Sequence, residues 1–451
     1  MAGRQNSRSS FASIIRTLGY RNYQLFFFGQ GISLLGTWAQ RMALAWLIYR
    51  LTNSKAALGY VTFFSQILTP LFAPVAGVLA DRHNKKKLLV ITQAVSMIQA
   101  LALAAVTLLN PVPAGHYLSI TSPLVVGIIA LSAILGLINA FDVPIRQSFQ
   151  IEMVENVEDL PNAIALNSFL FNGARLIGPM VAGLLLAWMS EGYLFLVNGL
   201  SFIAVLWALI AIRTTPRERP ANHTHPLQTL KEGFDYAYGT MPIRLVLIQL
   251  ALASLLGMGA ATLMPVFARD ILHGGPKLFG VLNSSSAIGS LSGVLFLLSR
   301  PAGSDLTRFI GIGGVLVGGF GIAFGASHSL PASLICIVLI GFGSMLQMIS
   351  CNTFLQTICD DDKRGRVMSL YTVAIMGMSA VGGWLAGRLG EHLGAPHAVM
   401  LLGLGCALAA LYYISRLGRL RREIEPILLN QREMAKAMQE TNAEEQARGE
   451  A

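Results

Sequence analysis

Twelve long apolar stretches recur along this 451-residue chain at intervals of about 30 residues, each approaching the roughly 20 residues that cross a bilayer core. They lie near 23–49, 56–80, 88–109, 123–143, 162–189, 192–212, 243–268, 277–299, 307–328, 331–358, 366–390 and 396–415. A backbone inside hydrocarbon must satisfy its own N–H and C=O groups, so stretches of this length commit the chain to helices. Hydrophobic residues make up 54% of the sequence and charged residues 12%, against about a quarter charged in ordinary soluble domains. The fold class is therefore an all-α polytopic membrane protein with 12 transmembrane helices.

The fifth stretch contains Gly173-Ala-Arg175-Leu-Ile-Gly178-Pro179-Met-Val-Ala-Gly183, and its glycine spacing returns 204 residues later as Gly377, Gly382 and Gly387. Two copies six spans apart divide the chain into pseudo-symmetric six-helix bundles, 23–212 and 243–415. A tail (1–22) precedes them, a linker (213–242) joins them, and a charged tail (416–451) follows. Within the linker, Leu227, Leu230, Phe234 and Tyr238 fall at helical spacing and predict a short amphipathic interfacial helix. Duplicated membrane halves point to a transporter whose solute path runs between the repeats.

The net charge of +10 orients the chain rather than attracting nucleic acid. Of 33 Lys and Arg, 26 fall in the tails and the even-numbered connections, so the positive-inside rule places both termini in the cytoplasm. Cys336, Cys351, Cys359 and Cys406 lie in or beside apolar spans without a Cys-x-x-Cys pair, and read as small buried hydrophobes. No Walker A loop and no clustered His and carboxylates occur, so no catalytic residue, metal or cofactor is expected and the chain is read as a non-enzyme.

Ionisable groups at membrane depth carry more information. Arg175 falls near the middle of span five and Arg41 in the outer part of span one. Each costs at least about 2.5 kcal/mol to insert, so each should face a cavity or a partner. Arg175 suits contact with an anionic or oxygen-rich solute; Arg41 could do the same or snorkel outward. The central third of every span lacks Asp and Glu. Asp142, near the cytoplasmic end of span four, is the one intramembrane carboxylate, so no obvious proton site stands at the centre.

Gly173, Gly178-Pro179 and Gly183 partly match the antiporter signature of drug–proton exchangers. A Gly-Pro pair frees a carbonyl and softens a helix that must pivot. The connection after span two, Gly77-Val-Leu-Ala-Asp81-Arg82-His-Asn-Lys85-Lys86-Lys87, closely resembles the signature loop of the major facilitator superfamily. Ala140-Phe-Asp142-Val-Pro144-Ile-Arg146 and Arg364-Gly365-Arg366-Val-Met-Ser369, with Asn162 to Ser168 and Asn352 to Gln356, resemble the bacterial branch that contains the enterobactin exporter and macrolide efflux proteins. The likeness runs from about Leu18 to Leu417.

This resemblance implies the major facilitator fold and a cytoplasmic latch. In it Asp81 faces the start of span eleven near Arg366, and Lys85 bridges Asp81 to Asp142, with Gly77, Arg82 and Arg146 alongside. It also implies a path lined by spans one, four, seven and ten. The polar contacts expected there are Gln30, Ser33, Thr37, Gln40 and Arg41, then Asn139 and Arg175, then Gln249, Gln347 and Ser350, with Asn283 from span eight. Set among Trp38, Met258, Met345 and Met348, they suit a bulky amphipathic solute better than a sugar. The expected function is export of a siderophore-like or drug-like molecule by alternating access, coupled to the proton gradient, by a monomer in the bacterial plasma (inner) membrane. A lipid or lysolipid flippase or an importer on the same fold is the alternative; a non-transporting receptor or assembly partner ranks below it.

Overall fold

The computed structural model describes residues 17–113, 115–153, 159–213, 226–301 and 305–426. Helices α1 (Arg21–Thr52), α2 (Lys55–Arg82), α3 (Lys85–Leu109), α4 (Pro123–Met153), α5 (Leu160–Leu185) and α6 (Glu191–Ala211) build a first bundle. The short α7 (Pro226–Gly239) leads into a second, made of α8 (Met241–Ile271), α9 (Pro276–Leu298), α10 (Leu306–Ala326), α11 (Leu330–Ile358), α12 (Asp362–Leu393) and α13 (Ala395–Ser415). A further helix covers 417–426. Among the described residues, 11 helices are long and apolar enough to cross a membrane. The first, α1, has the length, with 32 residues, but Gln24, Gln30, Gln40 and Arg41 dilute its apolar character.

Local signals set the helix ends. Ser54 Oγ accepts from the Ala57 N–H at 3.3 Å and Asn84 Oδ1 from the Lys87 N–H at 3.0 Å, capping α2 and α3. Pro276, Pro331 and Pro396 stand in the first turns of α9, α11 and α13, where a missing N–H costs nothing. A single residue, Gly394 at φ 83°, joins α12 to α13 in a backbone conformation that favours glycine. The sequence reading ended span four before Pro144, but α4 continues through it to Met153. The proline removes one donor, and the Asp142–Arg146 pair across the same turn helps to hold the helix together.

Inside the first bundle α1 packs on α5 and α6, α2 on α4, and α3 on α4 and α6. The second bundle repeats the scheme, with α8 on α12 and α13, α9 on α11, and α10 on α11 and α13. The bundles meet along α2–α12 and α5–α9, two seams that exchange under the same relation. The molecule therefore has two pseudo-symmetric six-helix bundles, the arrangement of the major facilitator fold.

The repeated glycines explain how the halves dock. Gly178 and Gly382 each abut the first helix of their own bundle: a Cβ on Gly178 would lie 2.6 Å from Trp38 Cβ, and one on Gly382 would run into the backbone of Leu255. Gly183 and Gly387 each abut the second helix of the opposite bundle. A Cβ on Gly183 would meet Gly280 Cα at 3.1 Å, and one on Gly387 would meet Gly59 Cα at 2.8 Å. Only glycine lets helices approach this closely.

The bundle interiors differ. Between α3 and α6, leucine side chains cover glycines: Cβ atoms on Gly192 and Gly199 would each lie 2.6 Å from Leu108 or Leu101. Between the equivalent α10 and α13, Gly318 meets the backbone of Ala407, and Gly314 meets Ala410. Non-α segments occur, among the described residues, in α8 (π at Ser254–Met258 and Phe267–Ile271, 3-10 at Ala261–Leu263) and in α12 (π at Val373–Gly377). All four cysteines are buried. Burial pushes the Cys359 thiol, just past the end of α11, up to about 11.

Candidate functional site

The described ends of the chain share one end of the bundle pair, called here the tail end. At the opposite, far end, α2 and α12 are fastened by a carboxylate. Glu391 accepts from the backbone N–H groups of Lys55 at 2.7 Å and Ala56 at 3.1 Å, and from the Ser54 hydroxyl at 3.1 Å. It thereby satisfies the free donors of the α2 N-terminus from the other bundle. Tyr49 of α1 donates to Asp270 of α8, and Arg269 donates to the Tyr117 hydroxyl at 2.9 Å. Nearer mid-depth, Ser379 Oγ donates to Gln66 Oε1 at 3.0 Å and Ser284 Oγ to the Leu176 carbonyl at 3.0 Å. Toward the tail end, a Cβ on Gly77 or on Gly173 would meet nothing within 4 Å.

Tail-ward of that seam lies a cleft between the bundles. Arg175 reaches into it against the second bundle, where Ser254, Met258, Ser290, Met345 and Gln347 form the wall. The π segment of α8 supplies Ser254 and Met258; such segments often mark functional sites. Pro179 has no N–H to offer the carbonyl of Arg175 one turn earlier, which loosens α5 at this level.

Trp38 stands beside Arg175. Its backbone is drawn against α5 by Gly178, and Phe171 packs edge-on at 5.7 Å between ring centroids. The Arg41 guanidinium carbon is 5.0 Å from the indole centroid and that of Arg175 is 5.9 Å. Arg41 is exposed, and its guanidinium lies against the Trp38 ring. Two cations thus share one aromatic ring. Neither forms an ion pair or hydrogen bond among the described residues.

The remaining residues singled out in the sequence take varied places. Gln40 is buried inside the first bundle, donating to Gln99 at 3.1 Å and accepting from Asn198 at 2.7 Å, while Gln99 donates to the Leu131 carbonyl at 3.0 Å. Gln30 and Ser33 are buried, and Thr37 donates to the Ser33 carbonyl at 2.9 Å. Asn139 is half-buried, and Asn283 donates to the carbonyl of Phe279 at 2.9 Å on its own helix. In the second bundle Gln249 Nε2, Gln347 Nε2 and Ser350 Oγ are buried without a hydrogen-bond partner. Gln249 packs beside Gly314 and Gln347 beside Gly313.

Asp142 accepts from Thr92 at 2.9 Å and Gln93 at 2.6 Å on α3, and its other oxygen lies 3.3 Å from Arg146 Nε. Arg366 pairs with Glu232 of α7 at 2.8 Å, close to Gly233 of the same helix. Lys85 opens α3. The expectation placed on the Asp81 and Arg82 side chains lies outside the described residues.

Sequence reasoning missed Glu391, Asp270 and the serines of the second-bundle wall. Glu391 sits four residues beyond Gly387, but nothing in the sequence ties it to an α2 N-terminus some 336 residues away.

A family model described as transmembrane secretion effector matches residues 13–446. The staphyloferrin A transporter of Staphylococcus aureus (strain NCTC 8325 / PS 47) is 26% identical over 404 residues, 88% of this chain and 97% of the relative. The enterobactin exporter EntS of Shigella flexneri is 26% identical over 359 residues, covering 77% and 80%. Among solved structures, a bacterial homolog to the human lysosomal transporter Spinster, in an inward-facing and unoccupied conformation, superposes with TM-score 0.68 at 14% identity, over 90% of this chain and 98% of that one. The POT family transporter PepTSo gives 0.69 at 13% identity, over 89% and 99%. With two lobes docked on paired glycines and a family match from end to end, the chain belongs to the transmembrane secretion effector family of the major facilitator superfamily, a family of membrane transporters.

Proposed function

We propose that this protein exports a siderophore-like amphipathic molecule from the bacterial cytoplasm across the plasma (inner) membrane, by alternating access driven by the proton gradient. The observation that carries the reading is the position of the arginine-bearing cleft. It lies tail-ward of a far-end seam held by Gly59–Gly387, Gly183–Gly280 and the Glu391 cap. With the basic tail end in the cytoplasm, this state receives solute from inside, and parting the seam would release it outside. The two relatives named for siderophores supply the cargo class.

Proton coupling has few places to act. Among the described residues, carboxylates that tie one membrane-spanning helix to another include Asp142 toward the tail end and Glu191, Asp270 and Glu391 at the far end. Asp270 and Glu391 bridge the bundles, so neutralising them weakens the seam that must part. Inverted proteoliposomes with an imposed pH difference test the proposal, using iron-free staphyloferrin A and enterobactin as cargo. Gradient-dependent accumulation of either is expected. Flux indifferent to the gradient would remove proton coupling, and no flux of either molecule would remove the cargo class.

A further inference from the structure

Trp38, Arg41 and Arg175 carry a statement about the cargo's charge. Two guanidinium groups at membrane depth flank one indole, and neither has a carboxylate partner among the described residues. Each such charge costs at least about 2.5 kcal/mol to insert. With their guanidinium carbons 5.0 and 5.9 Å from one ring centroid, Arg41 and Arg175 gather positive charge instead of cancelling it. Asp142 is nearby in sequence to Arg146, but its oxygens are occupied by Thr92, Gln93 and Arg146 itself. The opposite wall offers Ser254, Ser290, Gln347 and methionines, which bring no negative charge.

A site with two uncompensated cations is completed by a ligand that brings the anions. Guanidinium recognises carboxylate and phosphate through paired N–H donors, and carboxylate is the planar one that can lie alongside an indole. A phenolic hydroxyl titrates near 10 and is neutral at cytoplasmic pH, so a free catechol would leave both charges unanswered. A lipophilic cation would be repelled.

We infer that Arg41, Trp38 and Arg175 form a two-pronged carboxylate receptor, and that the exported molecule in its iron-free form carries at least two carboxylate groups held on either side of the indole. This rests on reading the cleft as the solute path. Each guanidinium takes one carboxylate, and the ring between them supplies a flat apolar surface for the carbon skeleton.

The test uses the purified full chain in lipid nanodiscs, with citrate as the multi-carboxylate probe. Triethyl citrate is its neutral match, tetraphenylphosphonium a lipophilic cation, and sodium chloride the ionic-strength control. Citrate should raise the thermal midpoint saturably and the other three should not. Arg41→Gln and Arg175→Gln should each weaken citrate binding at least ten-fold, and the double variant should abolish it. Arg50→Gln, at the far-end pair with Glu191, should leave it unchanged. If either glutamine variant fails to fold, Arg41→Lys and Trp38→Phe should still show a measurable drop in affinity with an unaltered midpoint in buffer.

Equal stabilisation by triethyl citrate or tetraphenylphosphonium would overturn the inference, as would citrate binding untouched by both arginine variants. Siderophore flux in vesicles without citrate binding would sink the carboxylate receptor and spare the export reading. Citrate binding without flux would do the reverse.

Discussion

In the first bundle α3 meets α6 through leucine side chains laid over Gly192 and Gly199; in the second the equivalent α10 and α13 touch through Gly314, Gly318 and the chain at Ala407 and Ala410. The contrast extends inward. Gln40, Gln99 and Asn198 close a hydrogen-bonded chain in the first bundle, whereas Gln249, Gln347 and Ser350 in the second have buried polar atoms without partners. Both cations at the cleft belong to the first bundle, and the π segments belong to the second. One duplicated scaffold therefore serves two tasks. The repeat preserves which helices touch, while the residues between them place both cleft cations in one half and the π segments and the glycine-lined α10–α13 contact in the other. Unpartnered buried polar atoms occur in both, at Gln93, Gln150 and Asn167 as well as in the second bundle.

The strongest test of this contrast is a pair of matched substitutions. Gly318→Leu forces a side chain into the backbone of α13 and should eliminate folded protein, read by size-exclusion of a fluorescent fusion. Gly199→Leu meets a side chain, that of Leu101, which can move; it should fold with a loss of about 1–3 kcal/mol, typical of overpacking. If both variants behave alike, the two interiors are not packed differently.

A second pair should show opposite signs. Asn198→Leu strands the Gln40 carbonyl and should lower stability by about 1–3 kcal/mol, the cost of an unsatisfied buried group, read as a drop in thermal midpoint. Gln347→Met removes a donor that has no partner and keeps the volume, so the midpoint should stay or rise. A fall comparable to that of Asn198→Leu would show that Gln347 is satisfied in the membrane. The smallest effect is expected at the far end. Tyr49→Phe loses one hydrogen bond to Asp270, worth about 0.6 kcal/mol in membrane proteins, and should change flux by roughly two- to three-fold.

Much of this architecture was legible from residues alone. The glycine repeat could be read because Gly178, Gly183, Gly382 and Gly387 meet a neighbouring helix so closely that other side chains are excluded, whereas Gly173 and Gly377 have room for one. The linker helix, expected over 227–238, spans Pro226–Gly239, because its stripe of Leu, Phe and Tyr has a helical period in an otherwise polar segment. Arg41 and Arg175 stood out through the cost of placing charge in hydrocarbon. The amides were harder. On an apolar helix such as α1 or α11, apolar residues lie all round, so a glutamine gives no sign of whether it faces the cleft, as an expected solute contact would, or the bundle interior, as Gln40 does. The π segments left no mark: nothing in the residues of Ser254–Met258 or Val373–Gly377 sets them apart from an ordinary helical turn. The Glu391 cap joins parts of the chain that only the assembled fold brings together.

Because Arg41, Trp38 and Arg175 all ride on helices of the same lobe, a cargo held by them is strapped to one side of the machine. In the proposed rocking of the lobes, such a passenger would be carried round with its own seat while the wall opposite, lined by serines, Gln347 and methionines and bringing no charge, slides past. Unloading would then need neither a hand-over between lobes nor a new grip, but only enough water arriving at the two guanidinium groups to outbid the cargo.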